Sequence, residues 1–512
     1  MQEKCFERAG KLRGGPSNCL RFVTISAASF SFNLLSACAV GPNFERPPAP
    51  EVGGYTPEPL APQTAASPGP EGKAQRFVQG LDIPAQWWAV FHSRPLNDLI
   101  EDALKRNADL QAAQAALRAA HEEAEAQKGL FAPQIGGDFN PTGGKTGADV
   151  APILNTTSPY YSLATTQLTI SYTPDVFGLN RRNVESLEAQ TEGQRFQLEA
   201  TYLTLTSNVV AAAIQEASLR AQIDATKKII AIETDLLGLL RRQLSLGQVA
   251  GGDVALQEAA LAQAEETLPP LEKQLAQQRD LLTALAGRYP SDEVAQKFTL
   301  ASLKLPRDLP VSLPSQLVEH RPDVKAASAN LHSASALVGV AMANRLPLIS
   351  VTANFGSSPA NFAYLFNPPT LFYALAGNVE QSIFDGFTLY HKQKAAEAAL
   401  DQADAQYRST VITAFQNVAD SLRALQADAR ALKAAAAAET AAKTSLDITR
   451  KQLLLGEVNF LALLTAEQTY LQAVLARVQA EAGRYADTAA LFQALGGGWW
   501  NRDDVATAAA PD

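Results

Sequence analysis

Between Phe387 and Leu455 the chain runs 69 residues without a glycine or proline, and apolar side chains return along it at three- and four-residue steps: Val411, Ala414, Phe415, Val418, Leu422, Leu425. That spacing predicts one long helix with a stripe made to pack on neighbouring helices. Stretches such as ADSLRALQADARALK add high helix propensity. At about 1.5 Å of rise per residue the helix would be about 100 Å long. Helices of globular domains usually stop within roughly 8–20 residues. Gly456, in KQLLLGEV, supplies the stop.

The pattern occurs twice. RRQLSLGQV at 241–249 answers RKQLLLGEV at 450–458, 209 residues later. Upstream, Gly178 in DVFGLNRR answers Gly386 in IFDGFTLYHK; downstream, TALAG ending at Gly287 answers FQALG ending at Gly496. The matches fall at the breaks in the periodicity, so the chain holds two copies of one long supersecondary unit.

Between the helices the period drops to two, the strand signal. In 168–173 Leu168, Ile170 and Tyr172 oppose Thr169, Ser171 and Thr173; in 349–355 Ile349, Val351, Ala353 and Phe355 oppose Ser350, Thr352 and Asn354. A third strand over 375–383 sets Val379 and Ile383 against Asn378, Glu380 and Ser382, and a weaker fourth follows Pro133 in QIGGDFN. Apolar-out and polar-in alternation suits a barrel with lipid outside and water inside. Four strands cannot close such a barrel, so closure requires several chains. The Gly-, Pro-, Asn- and Ser-rich stretches 141–160 and 356–370 are expected to be exposed hairpin loops. An amphipathic helix is expected from about Pro95 to Leu130, closed by Pro133, after an extended Pro/Gly/Ala-rich linker over 39–90.

Composition then excludes several classes. The formal charge of −9 leaves no basic stripe for a nucleic-acid partner. The cysteines are Cys5, Cys19 and Cys38, so nothing after residue 38 can form a disulfide, and no Cys/His cluster has metal-ligand spacing. The five histidines are scattered, and GxSxG, HExxH and GxxxxGK[ST] motifs are missing, which gives an enzyme reading no support. The first 37 residues combine Lys11, Arg13 and Arg21 with the apolar run FVTISAASFSFNLL, an export signal. Its end, LLSAC, resembles the bacterial lipobox, which makes Cys38 the expected lipidation site and a covalent lipid the only expected addition, with no other cofactor.

The lipobox followed by GPNFERP, the segment WWAVFHSRPLNDLIEDALKRNADL and the twofold long-helix repeat resemble the outer-membrane efflux protein family, the TolC-like outer-membrane factors, and within it the NodT-type lipoproteins. The resemblance covers nearly all of 38–500. It implies a mainly α fold with a small transmembrane β-barrel: a homotrimer in which each chain gives four strands and the long helices of a periplasmic α-barrel. The corresponding divisions are a signal peptide (1–37), a lipid-anchored linker (38–94), a first repeat (95–300, hairpin 134–174, tip near 247), a second repeat (301–498, hairpin 348–384, tip near 456) and a tail (499–512).

The implied function is the exit duct of a tripartite efflux pump in the outer membrane of a Gram-negative bacterium. The implied partners are a periplasmic membrane-fusion adaptor and an inner-membrane transporter, the RND type being the first expectation. In the family the glycine turns between long helices are periplasmic tips, so Gly247, Val249, Gly456 and Val458 are the expected adaptor contacts. Where relatives carry an acidic ring after the second tip, this chain has Ala462 and Thr465; Asp253, Phe460 and Leu461 are the remaining candidates for a constriction. Two alternatives stay open: a type I protein-secretion duct, and a periplasmic coiled-coil structural or adaptor protein.

Overall fold

A computed structural model of the chain describes residues 39–69, 72–145 and 160–502; the export signal and Cys38 lie outside them. In chain order the elements are strand β1 (Arg76–Gln79), a 3-10 turn (Trp87–Phe91), helices α1 (Arg94–Arg106) and α2 (Ala108–Lys128), strands β2 (Gln134–Lys145) and β3 (Tyr160–Tyr172), and helices α3 (Leu179–Ser245), α4 (Gly251–Glu266) and α5 (Leu268–Leu285). Then follow β4 (Asp308–Val311), α6 (Pro314–His320), α7 (Pro322–Ala343), β5 (Leu348–Ser357), β6 (Leu371–Glu380), α8 (Thr388–Leu454) and α9 (Phe460–Ala494).

The repeat is met closely. Helices α3 and α8 are both 67 residues long and start and stop 209 residues apart. The six matched glycines, at 178, 247, 287, 386, 456 and 496, all have φ between +67° and +99°. This left-handed backbone costs other residues roughly 1–2 kcal/mol, which is why the repeat is most legible at its breaks. Along α8 the stripe Val411, Ala414, Val418, Leu422 and Leu425 is buried, and each fully buried Val or Leu contributes about 1.5–3 kcal/mol.

The expected helix Pro95–Leu130 is two helices. The backbone leaves the helical region at Asn107 (ψ 126°), whose Oδ1 accepts the N–H of Leu110 and whose Nδ2 donates to the Leu285 carbonyl. Asn107 caps α2 as well as ending α1, and Asp109 follows in the first turn of α2, where the helix dipole favours an acid. The segment before α1 is extended, as expected, but it is not a free linker. Its strand β1 pairs in parallel with β4, Arg76 opposite Asp308, and the Tyr55 hydroxyl lies 3.0 Å from Ser312 Oγ.

The chain divides into two spatial units, and each takes pieces from both repeats. One unit holds residues 122–188 and 332–401 and thus the four-stranded antiparallel sheet, in the order β2-β3-β5-β6. The other holds the small parallel sheet, Trp87, Trp88 and Phe91, and the helical hairpins around residues 247 and 456. All four strands of the first sheet are longer than their alternation indicates, with 12, 13, 10 and 10 residues. A membrane-crossing strand needs about 9–11. Strand β6 ends at Glu380, so Ser382 and Ile383 lie beyond it. Of the expected loops, 141–145, 160 and 356–357 are strand, 146–159 fall outside the described residues, and 358–370 form a loop with two 3-10 turns.

Candidate functional site

The sheet sorts its side chains by face. Residues opposite each other on neighbouring strands share a face: Ile135 meets Ile170, which meets Ala353, which meets Leu375, and Leu168 meets Phe355, which meets Tyr373. On the other face Asp138 meets Gln167, and Thr169 meets Asn354. The apolar face is not covered: Leu375 is 75% and Tyr373 85% exposed. The outer edges of β2 and β6 have no partner strand among the described residues. Exposed aromatics cluster at both strand ends, with Tyr160, Tyr161, Phe362 and Tyr364 at the loop end and Phe131, Phe384 and Phe387 near the helices. Ten residues at about 3.4 Å each, tilted about 40°, span roughly 26 Å. That matches the roughly 25 Å apolar band, flanked by aromatic girdles, of an outer-membrane barrel. The alternation is legible in the sequence; the girdles are a finding of the structure, and their only sequence signal is the aromatic clusters bracketing the strands.

At the first tip α3 ends in a paired closure: the Gly247 N–H donates to the Leu244 carbonyl and the Gln248 N–H to that of Gln243, both at 2.9 Å. The second tip repeats it, Gly456 to Leu453 (3.1 Å) and Glu457 to Gln452 (2.9 Å). This six-to-one, five-to-two pattern satisfies the last carbonyls of a helix and needs a positive φ at its centre. The following helices start differently. Asp253 accepts the Ala250 N–H through Oδ2 (3.3 Å), whereas at the second tip the Asn459 side chain accepts from Ala462 (3.1 Å). Asp253, a candidate gate residue, is therefore engaged in capping α4.

The two hairpins share a core of Leu237, Leu240, Val254, Leu446, Phe460, Leu463, Leu464 and Ala466, with Val249 packed against it. Phe460, expected at a constriction, is 6% exposed and lies within that core. Leu461, next to it, is exposed. Gly247 and Gly456 are exposed and Val458 is half-buried. The largest apolar surface at the tips comes from residues the sequence reading quoted without choosing: Leu246 (71% exposed), Leu454 (84%) and Leu455 (74%). Three successive leucines at about 100° per residue cannot all face one core, so LLLG itself held the signal.

The expected lipid site, Cys38, is outside the described residues, but the residues after it are firmly held. The Val40 N–H donates to the Phe177 carbonyl (3.1 Å). The Arg182 guanidinium donates to the carbonyls of Val40 and Gly41 and to Asn43 Oδ1 (2.9 Å), and Phe44 stacks on His332 at 4.4 Å. Gly41 comes so close to Gly339 that a Cβ would sit 2.4 Å from its Cα. The strap is therefore fixed beside Phe177 and Gly178, a few residues beyond the end of β3. Among the described residues no helix is long and apolar enough to cross a membrane. No group of three or more His, Cys, Asp or Glu there could hold a metal ion.

Comparison with known proteins agrees with this geometry. The family model for outer membrane efflux proteins matches residues 99–288 and 313–497. The pyoverdine export outer membrane protein OpmQ of Pseudomonas putida is 27% identical over 81% of this chain and 89% of its own length. The toluene efflux pump outer membrane protein TtgF, also of Pseudomonas putida, is 26% identical over 91% and 95%. The crystal structure of the CmeC outer membrane channel of Campylobacter jejuni superposes with a TM-score of 0.82 over 92% of this chain and 97% of that one, at 22% identity.

Proposed function

The chain belongs to the outer membrane efflux protein family, and from that premise we propose that it is the exit duct of a tripartite pump for small molecules. Three copies would pair their free β2 and β6 edges to close one barrel, since four strands per chain are too few. The observation that carries the reading is the sheet itself, apolar on one exposed face, polar on the other, and open at both edges among the described residues. Lipid then covers Tyr373 and Leu375, while Asp138, Thr169, Asn354 and Asn378 face water. Passage needs no bond-making: the duct supplies a hydrated path, and the energy comes from an inner-membrane transporter of the RND type. The cargo named for the relatives, pyoverdine and toluene, supports small molecules over polypeptides.

At the tips, Leu246, Leu454 and Leu455 offer a periplasmic adaptor the apolar surface, while Gly247 and Gly456 let its helices approach closely. Val249 packs against the hairpin core beneath that surface, and Val458 and Leu461 flank the second tip turn in sequence. The N-terminal strap supports lipidation of Cys38, because it leaves the next residue, Ala39, against Gly178 beside the barrel strands, within reach of the membrane.

The test places a photo-crosslinking amino acid at Leu455 or Val458 in living cells and identifies the captured protein by mass spectrometry. A periplasmic adaptor is the expected product. A correctly localised, oligomeric protein that captures nothing at Leu455, Val458 or Val249 would overturn the tip assignment. Labelling with a radioactive fatty acid, present in the native protein and lost in Cys38→Ser, tests the anchor.

A further inference from the structure

Below the tips, the core of the two hairpins contains charge. Glu233 on α3 and Glu467 on α9 are 5% and 6% exposed, and each belongs to a different repeat. On its own hairpin each has one partner. Gln257 of α4, fully buried, donates to Glu233 through Nε2 and also reaches the Glu233 carbonyl. Arg450 of α8 donates to Glu467 Oε1 at 3.0 Å. The second oxygen of Glu467 is buried and receives no hydrogen bond from any donor among the described residues; Glu467 and Glu233 line one core, since Leu463 and Ala466 beside Glu467 on α9 belong to the same buried cluster as Leu237, one turn from Glu233 on α3. Two ionised carboxylates offer only acceptors to each other. In a buried site such a contact persists when one proton lies between them.

We propose that Glu233 and Glu467 are a proton-operated clasp between the two tip hairpins: sharing a proton joins the hairpins, and losing it releases them. The charged groups that face Glu467 are Glu233 from α3 and Arg450 from α8, with Gln257 the neutral partner from α4. The other ion pair near the tip, Arg241 with Glu258, is exposed and internal to the first hairpin. Burial, and after it the neighbouring Glu233 charge, push the Glu467 carboxyl up to about 7 against the opposing pull of Arg450.

The direction follows from that shift. A carboxyl freed from the core returns to its ordinary range, near 4.5. Between there and about 7 the joined hairpins hold a proton that separated hairpins do not. The ratio of joined to separated tips therefore falls as pH rises through this window, by at most about tenfold per pH unit, and levels off above it. A periplasm that follows an acidic exterior would hold the duct shut at its inner end, and a neutral one would leave the tips free to respond to a partner.

The inference rests on the tips being the periplasmic end of the duct, but its test reads hairpin separation and not transport. Full-length protein in lipid nanodiscs, spin-labelled at Leu246 and Leu455, is measured by pulsed electron resonance from pH 5 to 8.5. The wild type should show a short, narrow distance at pH 5 that broadens and lengthens up to about pH 7 and is level beyond. Glu467→Gln, a neutral stand-in for the protonated acid, should keep the narrow distance throughout, and Glu233→Gln should move the change to lower pH. A pH-independent wild type, or an unaltered response in folded Glu467→Gln, would overturn the clasp whether or not an adaptor binds the tips. Further along α9, Asp487 is hydrogen-bonded to Asp428 of α8; loss of the response in Asp487→Asn instead would assign it to that pair and overturn the clasp equally.

Discussion

The face assignment of the β-sheet can be tested by moving one charge by one residue. Leu375 is the fifth of ten residues in β6, lies opposite Ala353 on the apolar face, and is 75% exposed; if lipid covers that face, it sits near the bilayer midplane. Leu375→Arg should then destabilise the inserted protein by about 2–4 kcal/mol, the range for arginine on a lipid face at that depth. Ala374, its neighbour, lies opposite Asn354 on the other face, where Ala374→Arg meets water and should cost no more than about 1 kcal/mol. Guanidinium titration of both variants refolded into phospholipid vesicles, followed by tryptophan fluorescence, gives the comparison. The expected gap is roughly 5- to 1,000-fold in the folded-to-unfolded ratio. If Ala374→Arg costs as much as Leu375→Arg, or more, the faces have been assigned the wrong way round.

Other outcomes follow from side chains whose roles the structure separates. Arg182→Ala removes the bonds to Val40, Gly41 and Asn43 and should weaken the strap by about 1.5–3 kcal/mol, read as faster proteolysis around residues 39–44 with the sheet intact. Phe460→Ala empties part of the tip core and should cost about 3–5 kcal/mol, against less than about 1 kcal/mol for exposed Leu461→Ala; equal costs in thermal unfolding would return Phe460 to the lumen. Asp487 is pushed up to about 7 by burial and its hydrogen bond with Asp428. Its folded value lies above the unfolded 3.8, so its share of stability is complete below about pH 4 and is lost as pH rises through 7. Asp487→Asn should therefore flatten the fall in melting temperature between pH 5 and pH 8 relative to wild type.

The long helices were legible because nothing interrupts them: without glycine or proline, and with the same break 209 residues later, local propensity and repetition agree. The Asn107 break was equally legible in KRNADL, with bases closing one helix and an asparagine cap and an acid opening the next, but the continuous apolar period concealed it. Strand β2 was read short because Gly136, Gly137, Gly143 and Gly144 remove the side chains that alternation depends on; its pairing with β3 holds it to Lys145. At the tips the turns could be located but their outward residues could not. Whether Phe460 or Leu461 turns inward depends on where four helices meet, and that arrangement is set by contacts distant in sequence.

Two 67-residue helices closed by the same glycine turn also constrain how this protein can evolve. Periplasms differ in depth, and a duct must match the one it serves. Deleting a single turn from α8 alone would draw the second tip back by about 5.4 Å, leaving Leu454 and Leu455 out of level with Leu246 and parting Glu467 from Glu233. A change of length can be inherited only when the other half of the gene acquires it too. Lineages of this fold should therefore gain or lose helix in matched steps.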